Sequence, residues 1–149
     1  MSGFPDRFRR AAQIKEAAAQ PKKKKPRHLE SVEQRLFIQR FRLDPVTRYL
    51  TACAIPNGGK RSAREAAILK AEGVTAGAPD WVLFHQTARY VGLALEFKSP
   101  DGSGRVSPAQ AYFLDGLRQN GWAVHIVKTA VEAWETLERY LNVPGGTDA

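Results

Sequence analysis

Apolar positions along the chain change period several times, and each change marks an element. From Leu29 onward Val32, Leu36, Phe37, Phe41 and Leu43 recur at helical spacing and stop at Asp44-Pro45, which predicts a first helix. Leu50 to Ile55 is a run of β-formers closed by Pro56-Asn57-Gly58-Gly59, a strand and its turn. Ser62 stands where an N-cap belongs, with Glu65 three residues on and Gly73 past the end, so a helix is expected from Ala63 to about Ala71. Trp81 to Gln86 and Val91 to Lys98, split by Thr87-Ala88-Arg89, predict adjacent antiparallel strands. Ser107-Pro108 opens another helix, with Tyr112, Phe113 and Leu117 as its expected buried face before Gly121. Trp122 to Val127 reads as the last strand, and Val131, Trp134, Leu137 and Tyr140 as the packing stripe of a final helix. The order helix, strand, helix, strand, strand, helix, strand, helix predicts an α/β fold, a mixed central sheet of about four strands flanked by helices.

Composition fits one domain with a proper core: 149 residues, 43% hydrophobic and 9% aromatic. No run approaches the length of a membrane span and the amino terminus lacks the apolar core of a secretory signal, so a soluble, intracellular protein is expected. The single Cys53 has no disulfide or zinc partner and, in an apolar run, reads as core packing. Net charge is +8, yet residues 1–28 hold nine Lys or Arg against Asp6 and Glu16, which is +7, and the remaining 14 basic and 13 acidic residues give +1. The chain therefore divides into a basic tail (1–28), a nearly neutral domain (29–142) and a short C-terminal tail (143–149). Lys22, Lys23, Lys24 and Lys25, framed by Pro21 and Pro26, form an extended cluster able to bind phosphate by counterion release. The same cluster fits a nuclear-import signal or a solubilising linker, and composition leaves the three open. Phe8 to Gln20 has the pattern of a short helix formed on contact with a partner.

The candidate chemistry lies at the ends of the two central strands. Alternation puts Leu93, Leu95 and Phe97 on one face of the second strand and Ala94, Glu96 and Lys98 on the other. Antiparallel pairing brings the start of the first strand beside the end of the second, so Asp80 is expected within reach of Glu96 and Lys98, with Gly92 and Ala94 leaving room. Two carboxylates suit a hard divalent cation such as Mg²⁺, and a neighbouring amine can stabilise charge on an attacked phosphate while the metal activates water. On its own, Glu-x-Lys is more often a solvated strand face with a surface ion pair. His28, His85 and His125 are scattered without metal-ligand spacing, two of them in expected strands, which argues against a histidine-centred nuclease.

Five short motifs in order carry a resemblance. Ala54-Ile55-Pro56-Asn57-Gly58-Gly59-Lys60-Arg61-Ser62, Leu69-Lys70-Ala71-Glu72-Gly73, Gly77-Ala78-Pro79-Asp80, Glu96-Phe97-Lys98 and Ser107-Pro108-Ala109-Gln110 together resemble the VRR-NUC (virus-type replication-repair nuclease) family of the PD-(D/E)xK superfamily, over about Leu29 to Tyr140. The resemblance implies a restriction-endonuclease-like sheet, Asp80 and Glu96 as metal ligands with the Phe97 carbonyl, Lys98 as the catalytic lysine, and Gln110 facing the same site. It also implies an acidic residue from the first helix. Glu30, four residues before Gln34, matches the family's Glu-x-x-x-Gln opening, and Glu33 is its rival.

By the same resemblance the cofactor is Mg²⁺ or Mn²⁺, and the reaction is phosphodiester hydrolysis by metal-activated water in replication, recombination or repair. A chain this small has little surface for reading bases, so DNA shape is the expected determinant. Free-standing relatives look like homodimers that resolve four-way (Holliday) junctions, while larger ones act on flaps; the partner expected here is branched duplex DNA, cut by a homodimer. Asn57, Gly58, Gly59, Lys60 and Arg61 form a candidate phosphate-holding turn, and Arg105 a candidate contact in the loop 101–105. The cytoplasm of a bacterium or phage-infected cell fits the family's spread, and Lys22 to Arg27 leave a nucleus open. The competing class is a binding protein, either an inactive nuclease relic or a recruiting subunit.

Overall fold

The computed structural model describes residues 29–56 and 61–142. The readings placed on Lys22 to Lys25, on Phe8 to Gln20, on Asn57, Gly58, Gly59 and Lys60, and on residues 143–149 lie outside the described residues. The elements are α1 (Leu29–Leu43), a 3-10 turn (Thr47–Tyr49), β1 (Ala52–Ala54), α2 (Ala63–Ala71), β2 (Trp81–Leu83), β3 (Gly92–Phe97), α3 (Pro108–Gln119), β4 (Trp122–Val127) and α4 (Ala130–Leu141). The four strands form one mixed sheet in the order β1-β2-β3-β4. β1 pairs antiparallel with β2, and β2 with β3; β3 and β4 are parallel, joined by α3 as a crossover.

Alternation along β3 sorts the two layers. Leu93, Leu95 and Phe97, with Trp81 and Leu83, meet Phe37 and Phe41 of α1 and Ala133, Trp134, Leu137 and Tyr140 of α4. The Phe37 ring stands edge-on to Trp81 with centroids 5.0 Å apart and lies 5.9 Å from Phe97, while Phe41 meets Trp81 at 5.2 Å. The opposite layer is thinner: Val82, Ala94 and Val124 under Leu114 of α3. α2 and α3 start where their cap residues predict, and α4 is capped as well: Ser62, Ser107 and Thr129 accept backbone N–H groups at the openings of α2, α3 and α4.

Several side chains are placed differently from the pattern. Tyr112 is 86% exposed and Leu114 takes the buried position on α3. Val131 is exposed, as are Val32, Leu36 and Leu43 of α1, whose buried face is carried by Phe37 and Phe41. Cys53 is exposed, because its strand is the sheet edge and α2 buries no residue over it. β2 ends at Leu83 rather than Gln86, and His85 leaves the strand, its carbonyl accepting the Tyr140 hydroxyl of α4. The space at Gly92 belongs to the Trp122 ring, since a Cβ there would come within 2.5 Å of it. No helix among the described residues is long and apolar enough to cross a membrane.

The aromatic wedge holds α1 on the sheet. Phe37→Ala is expected to lower unfolding free energy by about 3–5 kcal/mol, read from urea denaturation; a loss below about 1 kcal/mol would show that α1 is held elsewhere.

Candidate active site

Glu96 follows Ala94 on the α3 side of the central strand and is 1% exposed. Pairing with β4 continues past it, because Lys98 N–H donates to the Val127 carbonyl at 2.8 Å, and this fixes the side to which Lys98 turns. Lys98 is 8% exposed, and its Nζ donates to Glu96 Oε1 at 2.8 Å and to Gln110 Oε1 at 2.9 Å. Gln110 Nε2 closes the triangle by donating to Glu96 Oε1. Gln110 is also half of the capping box that opens α3: Ser107 Oγ accepts from its backbone N–H, and its own Oε1 accepts from Ser107 N–H at 2.9 Å. One residue thus starts the helix and delivers an amide to the site. The two donors converging on Oε1 settle which way that amide faces.

Asp80 immediately precedes β2. Trp81 pairs with Leu95, so the register carried one residue further sets Asp80 opposite Glu96. Its Oδ2 accepts from Phe97 N–H at 2.7 Å. Its carbonyl accepts from Ile55 N–H at 2.9 Å and from the Gln34 side chain at 3.4 Å, linking the edge strand and α1 to the same point. The approach to Asp80 depends on Gly77, whose φ is +90° and where a Cβ would lie 2.2 Å from the Ala109 carbonyl in the first turn of α3. The Asp80 loop is therefore packed directly on the turn that carries Gln110. In the sequence Gly77 counts only as the first residue of the Gly77-Ala78-Pro79-Asp80 motif; a glycine before Ala-Pro-Asp hints at a turn, but not at what it touches.

α1 separates the two acidic candidates. A Cβ at Gly104 would meet Glu30 Oε1 at 3.2 Å and Lys98 Cδ at 3.3 Å, so the bare backbone of Gly104 lies between these side chains and Glu30 faces the cluster. Glu33 is turned to the opposite flank, where its Oε2 accepts Ala130 N–H at 2.7 Å at the start of α4. That contact spans 97 residues, so local spacing could not reveal it. Arg61 donates to the Pro56 carbonyl at 2.8 Å. Arg105 is exposed on the loop between β3 and α3.

Electrostatically, this is a concentration of carboxylates short of counter-charge. Burial pushes the Asp80 carboxyl above its ordinary range against the pull of the Phe97 N–H and Lys98, and Glu30 adds to the rise. Burial likewise raises Glu96, opposed by the Lys98 hydrogen bond and reinforced by Asp80 and Glu30. Glu96 Oε1 takes two donors; Oε2 is buried with no hydrogen-bond partner. An unsatisfied carboxylate oxygen is costly in a native interior, and its position beside Asp80 fits a hard cation. Among the described residues no three His, Cys, Asp or Glu side chains come together as a group that could hold a metal ion.

The raised values fix the sign of a pH effect. A carboxyl with a raised native pKa carries no penalty at pH below the ordinary carboxylate range, where folded and unfolded chains are both protonated. The penalty grows as pH rises through the raised value and is full above it. Without divalent ions, Asp80→Asn is therefore expected to melt above the wild type at pH 7, with the gap closing on acidification. A wild type that melts higher at pH 7 would contradict this assignment of the charge burden.

The model of the VRR-NUC domain family matches residues 15–130. A solved structure described as a VRR_NUC domain protein superposes with a TM-score of 0.67 at 23% identity, covering 81% of this chain and 94% of that one. None of the curated proteins matches the chain significantly. The structural likeness shows the same four-stranded mixed fold, and the family match spans most of the chain, including Asp80, Glu96, Lys98 and Gln110. The chain belongs to the VRR-NUC domain family, a nuclease-type family whose substrate is DNA.

Proposed function

We propose that this chain is a metal-dependent, structure-selective DNA endonuclease that hydrolyses phosphodiester bonds in branched duplexes. The observation that carries the reading is the buried, unpartnered Oε2 of Glu96, beside Asp80 and on a strand whose next residue but one is a buried lysine. Asp80, Glu96 and the Phe97 carbonyl would hold Mg²⁺ or Mn²⁺, a set of oxygen donors suited to either. When bound, the cation supplies Lewis-acid stabilisation of the phosphoryl oxygens and a lowered pKa for water.

The remaining chemistry belongs to the chain. Lys98 Nζ, fixed between Glu96 and Gln110, is placed to stabilise negative charge growing on the attacked phosphate. Gln110 positions that amine, and Glu30 adds a carboxylate at the mouth of the site. Gly104, without a side chain, lets its backbone pass close to Glu30 and Lys98. The four-way junction is the favoured substrate, cut by a homodimer whose two sites act symmetrically. Exposed Val32, Leu36 and Leu43 on α1 support a self-associating face.

The test is nicking of linear, flap and four-way duplexes with Mg²⁺ or Mn²⁺. Lys98→Ala and Asp80→Ala are each expected to lower the cleavage rate at least about 10²–10³-fold while leaving DNA binding within a few-fold of wild type. Cleavage equal to wild type in both variants would sink the assignment, and a wild type inert on all three substrates would favour a binding module. Glu30→Gln is expected to cut slowly and Glu33→Gln to cut normally but melt lower, by the loss of about 1 kcal/mol. The reverse ranking in cleavage would exchange their roles.

A further inference from the structure

α1 presents four flanks, and three have occupants or a stated role: Phe37 and Phe41 meet the sheet, Glu33 and Arg40 meet α4, and Val32, Leu36 and Leu43 form the apolar outer stripe. On the fourth, a surface groove of about 570 Å³ runs between α1 and the edge of the sheet, with Gln34, Arg35 and Arg42 beside the apolar Ile38 and Leu43 on one wall and Ala54 on the other. No acidic side chain lines it. Among the described residues the contact of Lys98 with Glu96 is the only ion pair, so the charges of Arg35 and Arg42 meet no carboxylate.

The groove opens onto the site. Gln34, one of its lining residues, also donates to the Asp80 carbonyl at 3.4 Å. Arg35 is drawn toward that end, its Nε and Nη2 donating to Ser31 Oγ at 3.2 and 2.8 Å, one turn nearer the start of the helix. Arg35 and Arg42 are two turns apart, about 10.5 Å along the axis at ~1.5 Å per residue.

The geometry points to this groove as a phosphate track, in which Arg35 and Arg42 hold the backbone of the duplex arm that leads away from the scissile phosphate. The inference rests on the nuclease reading for the location of the scissile phosphate, while the track itself is a binding surface that acts without metal. It makes α1 a two-purpose element: its first turn brings Glu30 to the site, and its basic flank sets the direction in which a DNA arm departs. Contacts of this kind position a duplex without reading its bases.

The test is binding of the full chain to a fluorescein-labelled linear duplex and to a four-way junction in EDTA, by anisotropy, from 50 to 300 mM KCl. Each lost phosphate contact removes about 0.9 from the slope of log K against log salt. Arg35→Ala/Arg42→Ala is therefore expected to bind with a slope shallower by about 1.8 and to lose roughly tenfold per arginine at 0.1 M salt. Arg35→Lys/Arg42→Lys should recover most of the slope. Arg89→Ala/Arg118→Ala removes the same charge at the far end of the sheet and should change it by less than half as much. Equal effects of the near and far pairs, or an unchanged slope in the near pair, would overturn the track. So would conversion of a dimer to a monomer by the near pair in sedimentation, which would make the groove a protein interface. A wild type that binds with the steep slope yet cuts nothing would end the nuclease reading and leave the track standing; cleavage with wild-type binding in the near pair would do the opposite.

Discussion

The site depends on a carboxylate buried on the central strand with only one of its oxygens satisfied. Glu96 is 1% exposed among Ala94, Ile126 and α3, and an ionised carboxylate in such a place costs several kcal/mol unless it is paired and hydrogen-bonded. Lys98 and Gln110 supply that compensation to Oε1 alone. The rest of the architecture can be understood as the means of holding this half-compensated group: β2 and β4 on either side of β3, a capping box that makes the first turn of α3 a donor, and a glycine that lets the Asp80 loop approach that turn. A sequence chosen for stability alone would place an apolar residue there, and in the proposed reading the unsatisfied oxygen is stability given up for function.

Each supporting element serves fold and chemistry together. Gln110 is a helix cap and the link between Lys98 and Glu96. Asp80 anchors Phe97 through its side chain, and Ile55 and Gln34 through its carbonyl. α1 is clamped on the sheet by Phe37 and tied to α4 by Glu33, and this double attachment sets the rotation that turns Glu30 inward and Arg35 toward the groove. The exposed side of the sheet edge, by contrast, is thinly covered: α2 buries nothing and Cys53 faces outward.

Much of this was legible in the chain. Period-two alternation in β3 sorts Phe97 from Glu96 and Lys98, and the caps Ser62 and Ser107 give helix starts, because these signals are local. The antiparallel neighbour relation of Asp80 and Glu96 follows from strand adjacency and short connections. What was not legible involves partners far apart in sequence. The spacing to Gln34 favours Glu30, but Glu33 stays a rival until α4 claims it. Gly92 looks like spare room until the Trp122 ring fills it. Tyr112 looks like core until Leu114 takes that place. Gly77 matters only because α3 passes over it, and the basic flank of α1 is invisible in a chain whose conspicuous charge lies in residues 1–28.

The central claim is that Glu96 Oε2 and Asp80 form one half of a cation site. The most direct measurement is anomalous diffraction from a crystal of the full chain soaked in Mn²⁺. A peak is expected at about 2.0–2.3 Å from an Asp80 carboxylate oxygen and from Glu96 Oε2, absent in crystals of Glu96→Gln. A fully occupied peak elsewhere with none between these two carboxylates, or a peak there that survives the substitution unchanged, would contradict it.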